Sequence, residues 1–188
     1  MVLVKIRWLG SFLSSHRQSW FINLTKVTRN YNHFTKWDSV EPYKISEPFL
    51  ANASLTGRLF DTLKAKLDDD RLIIGQNATA DSFYSSQGRL DTSFLDDNQT
   101  LIESLIRLET STLEMESGML LHLANCCNHS FQQAKEGHRG QIYAAACAMI
   151  FADRKTGAFI DPLQVEQLET SAGQAILDAL VSWVIPAE

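Results

Sequence analysis

The chain has 188 residues, a net charge of −5 and an apolar fraction of 45%. That is enough chain for one domain with a core, and it excludes wholesale disorder. No run approaches the roughly 20 apolar residues of a membrane span, and no basic patch interleaved with aromatics marks a nucleic-acid partner.

The charge is unevenly spread. Residues 1–37 hold six Lys/Arg and no acid, whereas the rest holds eleven Lys/Arg against 22 Asp/Glu. A basic head of this kind reads as a transit segment, a nucleic-acid arm or chance. Met1 to Leu9 reads equally as a strand or a weak amphipathic helix, and Ser11 to Ser19 as loop. Phe21 to Thr28 alternates like a strand. Arg29 to Phe49, with Pro42 and Pro48, reads as a long surface loop. Leu55, Leu59, Leu63 and Leu67 recur every four residues, so a helix is expected over about 52–67, capped near Asn52 or Ser54. Asp68-Asp69-Asp70 then reads as a solvated turn. Leu72-Ile73-Ile74-Gly75 reads as a short buried strand, and residues 80–95 as a polar loop. Asp97 or Asn98 is expected to cap a helix that buries Leu101, Ile102, Leu105 and Ile106.

Next comes Ser111-Thr112-Leu113, a β-leaning stretch, followed by Glu114-Met115-Glu116-Ser117. Beyond it, Met119, Leu120, Leu123 and Ala124 fit a buried helix face. In extended backbone Glu114 and Glu116 share one face, with Met115 on the other. Two carboxylates on one face repel unless a ligand, water or cation separates them. One reading is a face for the vicinal hydroxyls of a sugar. The other is a solvated helix N-terminus, where the macrodipole favours Glu. Gln141 to Ala152 is nearly all small and apolar and reads as one fully buried strand of a largely parallel sheet. It ends in Asp153-Arg154, and strand C-termini are where open α/β sheets bind ligands. Asp161-Pro162 is an N-cap followed by proline at the first helical position. The helix it opens, about 162–185, should bury Leu163, Leu168, Ala172, Ala175, Ile176, Ala179, Leu180 and Trp183. The alternation of strands and helices gives an α/β chain, one three-layer domain.

Cys126, Cys127 and Cys147 form no disulfide framework, and a reducing compartment fits them. His122, Cys126, Cys127 and His129 cluster on or just past one helix. No carboxylate completes a metal-ligand spacing there, so they read as ordinary buried cysteines and the metal expectation is none. The Asn-x-Ser/Thr triplets starting at Asn23, Asn52, Asn77, Asn98 and Asn128 read as incidental.

Two motifs resemble those of the nucleoside phosphorylases, and within them the uridine phosphorylases, with wording of fungal type. Asp81-Ser82-Phe83-Tyr84-Ser85-Ser86-Gln87-Gly88-Arg89-Leu90-Asp91 is similar to the family's DxFYxxQxRxD. Leu113-Glu114-Met115-Glu116-Ser117 is similar to its xEMES. Asp153-Arg154 stands where the family has a later NR. The likeness runs from about residue 23 to 185, so residues 1–22 form an unmatched basic segment. Residues 23–188 then form the C-terminal part of a three-layer α/β/α domain with a mixed central sheet.

The resemblance implies phosphorolysis of a pyrimidine nucleoside such as uridine, with inorganic phosphate as co-substrate and no cofactor. It implies Arg89 and Glu116 as catalytic residues. Phe83, Gln87, Arg89 and Arg154 would hold the base, and Glu114, Met115 and Glu116 the ribose. A homo-oligomer in the cytoplasm is expected, partnered by a small nucleoside and by neither nucleic acid nor membrane. The family's domain is longer on its N-terminal side, where glycine-rich turns and arginines hold phosphate. Here Gly10 is the only glycine before Gly57, and Arg7, Arg17 and Arg29 are candidates by charge alone. The chain therefore reads as the base-and-ribose half of an enzyme, weak or inactive by itself. The alternative is a non-catalytic nucleoside-binding or oligomer-partner relative.

Overall fold

The computed structural model describes residues 2–3, 8–11, 23–29, 42–67, 72–94, 96–133, 140–154 and 156–185. The strands among them are β1 (Val2–Leu3), β2 (Trp8–Ser11), β3 (Asn23–Arg29), β4 (Tyr43–Ile45), β5 (Phe49–Leu50), β6 (Gln76–Ala80), β7 (Thr110–Glu114), β8 (Tyr143–Ala144) and β9 (Met149–Asp153). The helices are α1 (Ala53–Lys66), α2 (Leu101–Arg107), α3 (Ser117–Gln133) and α4 (Pro162–Ser182). Among the described residues, seven strands form one mixed sheet in the order β4-β3-β6-β7-β2-β9, with β5 also on β3, and β1 pairs with β8 in a small second sheet. β3, β6 and β7 are mutually parallel, whereas β2 runs against β7 and parallel to β9.

Alternation along β6 and β7 sets the layers. Ala78 lies beside Leu113, and both pack with Leu101 and Leu105 of α2. The other face of the same strands carries Asn77, Thr79, Thr112 and Glu114. α3 starts against that face, where a Cβ on Gly118 would stand 2.7 Å from Thr79 Oγ1. Only glycine lets the helix approach this closely. The largest apolar cluster joins Leu55, Leu59 and Leu63 of α1 to Ala172, Ala175, Ile176 and Ala179 of α4, with Cys147, Met149 and Phe151 between them.

α1 and α4 form as their caps dictate. Asn52 Oδ1 accepts from Leu55 N–H at 2.9 Å, and Asp161 Oδ1 from Leu163 N–H at 2.9 Å with Pro162 at the first turn. Within α4, Leu163 faces solvent at 74% exposure, so the apolar face starts later than expected. Leu72 to Gly75 is not a strand; Leu72 is buried in irregular backbone, and the strand that follows is the polar run Gln76–Ala80. Gln141–Ala152 is not one strand either. Its alanines lack the β-branched bulk that favours long strands, and the chain passes from one sheet to the other between Ala144 and Met149. The stretch expected as loop up to Phe49 contains β4 and β5, both antiparallel to β3. On α3 the buried positions are Ser117, Gly118, Leu121 and Ala124, while Met119 and Leu123 are exposed. The helix is rotated relative to expectation because its tight contact is made by the small residues. Cys126 is exposed, Cys127 half-buried and Cys147 buried. Among the described residues no His/Cys/Asp/Glu cluster could hold a metal, and no helix is long and apolar enough to cross a membrane. Asp68–Asp70 and residues 12–19 and 30–41 lie outside the described residues.

Candidate active site

β6 and β7 are parallel and adjacent, so the chain leaving Ala80 and the chain leaving Glu114 emerge at the same edge of the sheet. The first carries Phe83, Gln87 and Arg89; the second carries Met115 and Glu116.

The segment after β6 is a chain of short-range bonds. Ser82 Oγ accepts from Ser86 N–H at 2.9 Å, and Ser86 Oγ donates to Asp81 Oδ1. A 3-10 turn, Ser85–Gln87, ends at Gly88, whose φ of +63° is the left-handed region that glycine enters without strain. Gln87 is buried and Arg89 half-buried, while Phe83 and Tyr84 are each 50% exposed. The Arg89 guanidinium lies 4.1 Å above the Phe83 ring and its Nε donates to Phe83 O at 3.0 Å. Arg154 reaches the turn from the end of β9. It donates from Nη1 to Gln87 O and from Nη2 to Gln87 Oε1, the latter at 2.9 Å. The structure thus brings Arg154, expected from a third segment, onto Gln87. It also sharpens the expectation for Gln87. One lone pair of its side-chain oxygen is used by Arg154, so the amide turns its NH₂ donors elsewhere. Burial and, second, the nearby Arg89 guanidinium lower Arg154 to about 10, which leaves it charged at neutral pH.

The other cluster lies at the β7–α3 junction. Glu114 is 2% exposed. Its Oε1 accepts from Asn77 Nδ2 at 3.1 Å and from Thr79 Oγ1, and its Oε2 from the N–H groups of Glu116 and Ser117 at 2.8 and 2.7 Å. Thr79 Oγ1 also accepts from Gly118 N–H at 2.7 Å, and Thr112 Oγ1 donates to Asn77 Oδ1 at 2.9 Å. Glu114 therefore faces inward and caps α3, rather than sharing an open face with Glu116. Met115 and Glu116 are half-buried at the head of the helix.

Three residues of these clusters lie outside the sequence expectation. Asn77 and Thr79 hold Glu114, and Asn98 is buried at 2% exposure instead of capping a helix. The cap position of α2 is Thr100, which makes no side-chain cap bond. The i, i+2 spacing of Asn77 and Thr79 on a strand is the available signal for the first two.

The sequence profile of the phosphorylase superfamily matches residues 18–182. The chain belongs to that superfamily. A uridine phosphorylase of the oomycete Phytophthora capsici superposes with a TM-score of 0.80 at 29% identity, covering 98% of this chain and 67% of that one. A Trypanosoma brucei nucleoside phosphorylase with uridine phosphorylase activity superposes at 0.71 with 18% identity, covering 97% and 64%. Uridine phosphorylase from Schistosoma mansoni, solved with thymine, superposes at 0.63 with 14% identity, covering 96% and 60%. The two lower identities speak for the fold alone. No curated protein matches by sequence. The chain thus spans between 60% and 67% of the length of these structures, and its fold is the mixed α/β fold of nucleoside phosphorylases.

Proposed function

We propose that this chain binds a pyrimidine nucleoside, uridine or a close analogue, at the shared edge of β6 and β7 and takes part in its reversible phosphorolysis. The observation that carries the reading is the joining of Gln87 to Arg154, with Arg89 beside them, at the edge where Glu116 also stands. In this reading a phosphate oxygen forms a bond to C1′ of the ribose while the bond from C1′ to the base breaks. The leaving base takes the electron pair. Arg89 and Arg154 then face charge that grows as the bond breaks, so they stabilise the transition state more than the bound nucleoside. Gln87, its oxygen turned to Arg154, offers NH₂ to a base carbonyl. Phe83 offers the ring face not covered by Arg89 to the flat base. Glu116 accepts from the ribose hydroxyls and Met115 packs beneath the sugar. Glu114 acts indirectly, by holding Glu116 and the head of α3. No cofactor is needed beyond phosphate as co-substrate. The role belongs to pyrimidine salvage in the cytoplasm, in a homo-oligomer.

A second reading is that the chain binds nucleoside without turnover. Incubation of the chain with uridine and phosphate, followed for uracil and ribose 1-phosphate, separates the two. Slow release of both products supports the first reading. A uridine-dependent rise in melting temperature with no product supports the second. No binding and no product would sink both.

A further inference from the structure

The turn that presents Gln87 and Arg89 is closed by a side chain outside both motifs. Asn98 Nδ2 donates to Ser85 O at 3.0 Å and to Arg89 O at 2.9 Å. These two carbonyls flank Gln87, so one amide group bridges the start and end of the presenting segment. Both protons of the NH₂ group are spent on it. The bridge is shielded, with Asn98 only 2% exposed, and bonds of this kind are costly to lose when the carbonyls stay buried. Asn98 is itself anchored, since its carbonyl accepts from Leu101 N–H at 3.1 Å at the entrance to α2. From that helix Ile102 presses on Gly88 so closely that a Cβ there would stand 2.5 Å from it. Gly88 N–H to Ser85 O at 3.1 Å and Arg89 N–H to Tyr84 O at 3.0 Å run within the segment itself, while Arg154 holds Gln87 from the end of β9. Asn98 is therefore the side chain whose hydrogen bonds, beside the Ile102 contact, tie the turn to the start of α2.

We infer that Asn98 is a positioning residue for base recognition. By clamping the carbonyls of Ser85 and Arg89 it fixes the backbone from which Gln87, held by Arg154, and Arg89 project, and so sets affinity for the base without touching it. The inference rests on the nucleoside-binding reading given above.

Asn98→Asp is nearly isosteric and removes both donors. Titration calorimetry with uridine is expected to show at least about tenfold weaker binding than the unaltered chain. The decisive measurement is a double-mutant cycle with Arg89→Lys. If Asn98 acts through Arg89 and Gln87, most of its effect disappears in the Arg89→Lys background. Undiminished affinity in Asn98→Asp, or a loss that simply adds to that of Arg89→Lys, would overturn the inference and leave Asn98 a stability residue. Should Asn98→Asp not fold, Asn98→Ser, which can keep one donor, is expected to bind severalfold more weakly. Wild-type affinity in that variant would equally overturn the inference. If the unaltered chain binds no uridine, it is the nucleoside-binding reading that fails, and the clamp falls with it.

Discussion

At the β7–α3 junction the bonds of Glu114 run inward, to two side chains of β6 and to two backbone amides. At the turn after β6, by contrast, Phe83 and Tyr84 are half in solvent and the Arg89 bond to Phe83 O is exposed. Burial is what distinguishes the two clusters. The acidic one is organised by satisfying a buried carboxylate, which makes its geometry inseparable from folding. The cationic one is organised by a turn, a glycine and a clamp, so its more exposed side chains, Phe83, Tyr84 and Arg89, can change with little cost to the fold. Stability and ligand affinity should therefore part company between the two.

Glu114→Ala should strike stability hardest. It strands Asn77, Thr79 and the amides of Glu116 and Ser117, and a loss of about 3 kcal/mol is expected in urea unfolding. A loss below about 1 kcal/mol would erase the contrast between the clusters. Gly88→Ala comes next, because it forces a side chain into the left-handed region and against Ile102; unfolding should show a cost of about 1–2 kcal/mol. Arg89→Ala should do the reverse of Glu114→Ala. Uridine affinity should fall about tenfold or more, as expected for a charge-assisted bond. Unfolding should shift by no more than about 0.5 kcal/mol. A large destabilisation with unchanged affinity would invert the comparison.

The smallest effect concerns pH. Arg154 is lowered to about 10, well below the ordinary guanidinium range, first by burial and then by Arg89. The folded chain thus gives up this proton before the unfolded chain does, and stability from this group rises as pH climbs above about 10 toward the unfolded guanidinium's higher pKa. It contributes no slope near neutral pH. Removing Arg89 takes away one of the two causes, so the rise should begin at higher pH in Arg89→Ala. Unfolding midpoints of the two proteins measured side by side from about pH 9 to 11 test this, and identical profiles would refute it.

Much of the frame is legible from the chain. The leucines of α1 repeat at helical spacing, and Asn52 and Asp161 cap the helices their positions suggest. β6 is not legible, because hydropathy looks for apolar strands. Its buried Asn77 and Thr79 are polar, and what satisfies them is Glu114 and Thr112, which lie far along the chain. The alanines of 144–148 mislead for the converse reason, since small apolar side chains are buried in any backbone geometry. The rotation of α3 follows from Gly118 against Thr79, a contact between elements that periodicity along one element cannot report. At the site, the motif residues are expected by type, but the pairing of Gln87 with Arg154 joins positions 67 residues apart. Asn98 looks like a helix cap in the sequence, and its bonds become visible only once the turn has closed around it.

The first turn of α3 begins with its amides already spent. Ser117 N–H goes to Glu114 and Gly118 N–H to Thr79, while Met119 and Leu120 both donate to Glu116 O. Helix heads draw oxyanions through unspent amides of this kind. Here the positive pole of the helix instead faces the Glu114 carboxylate at the end of its approach strand. A phosphate ion arriving at this spot would meet the Glu114 carboxylate rather than open donors. In the phosphorolysis proposed above, the attacking phosphate oxygen would then approach C1′ from a direction other than along the axis of α3.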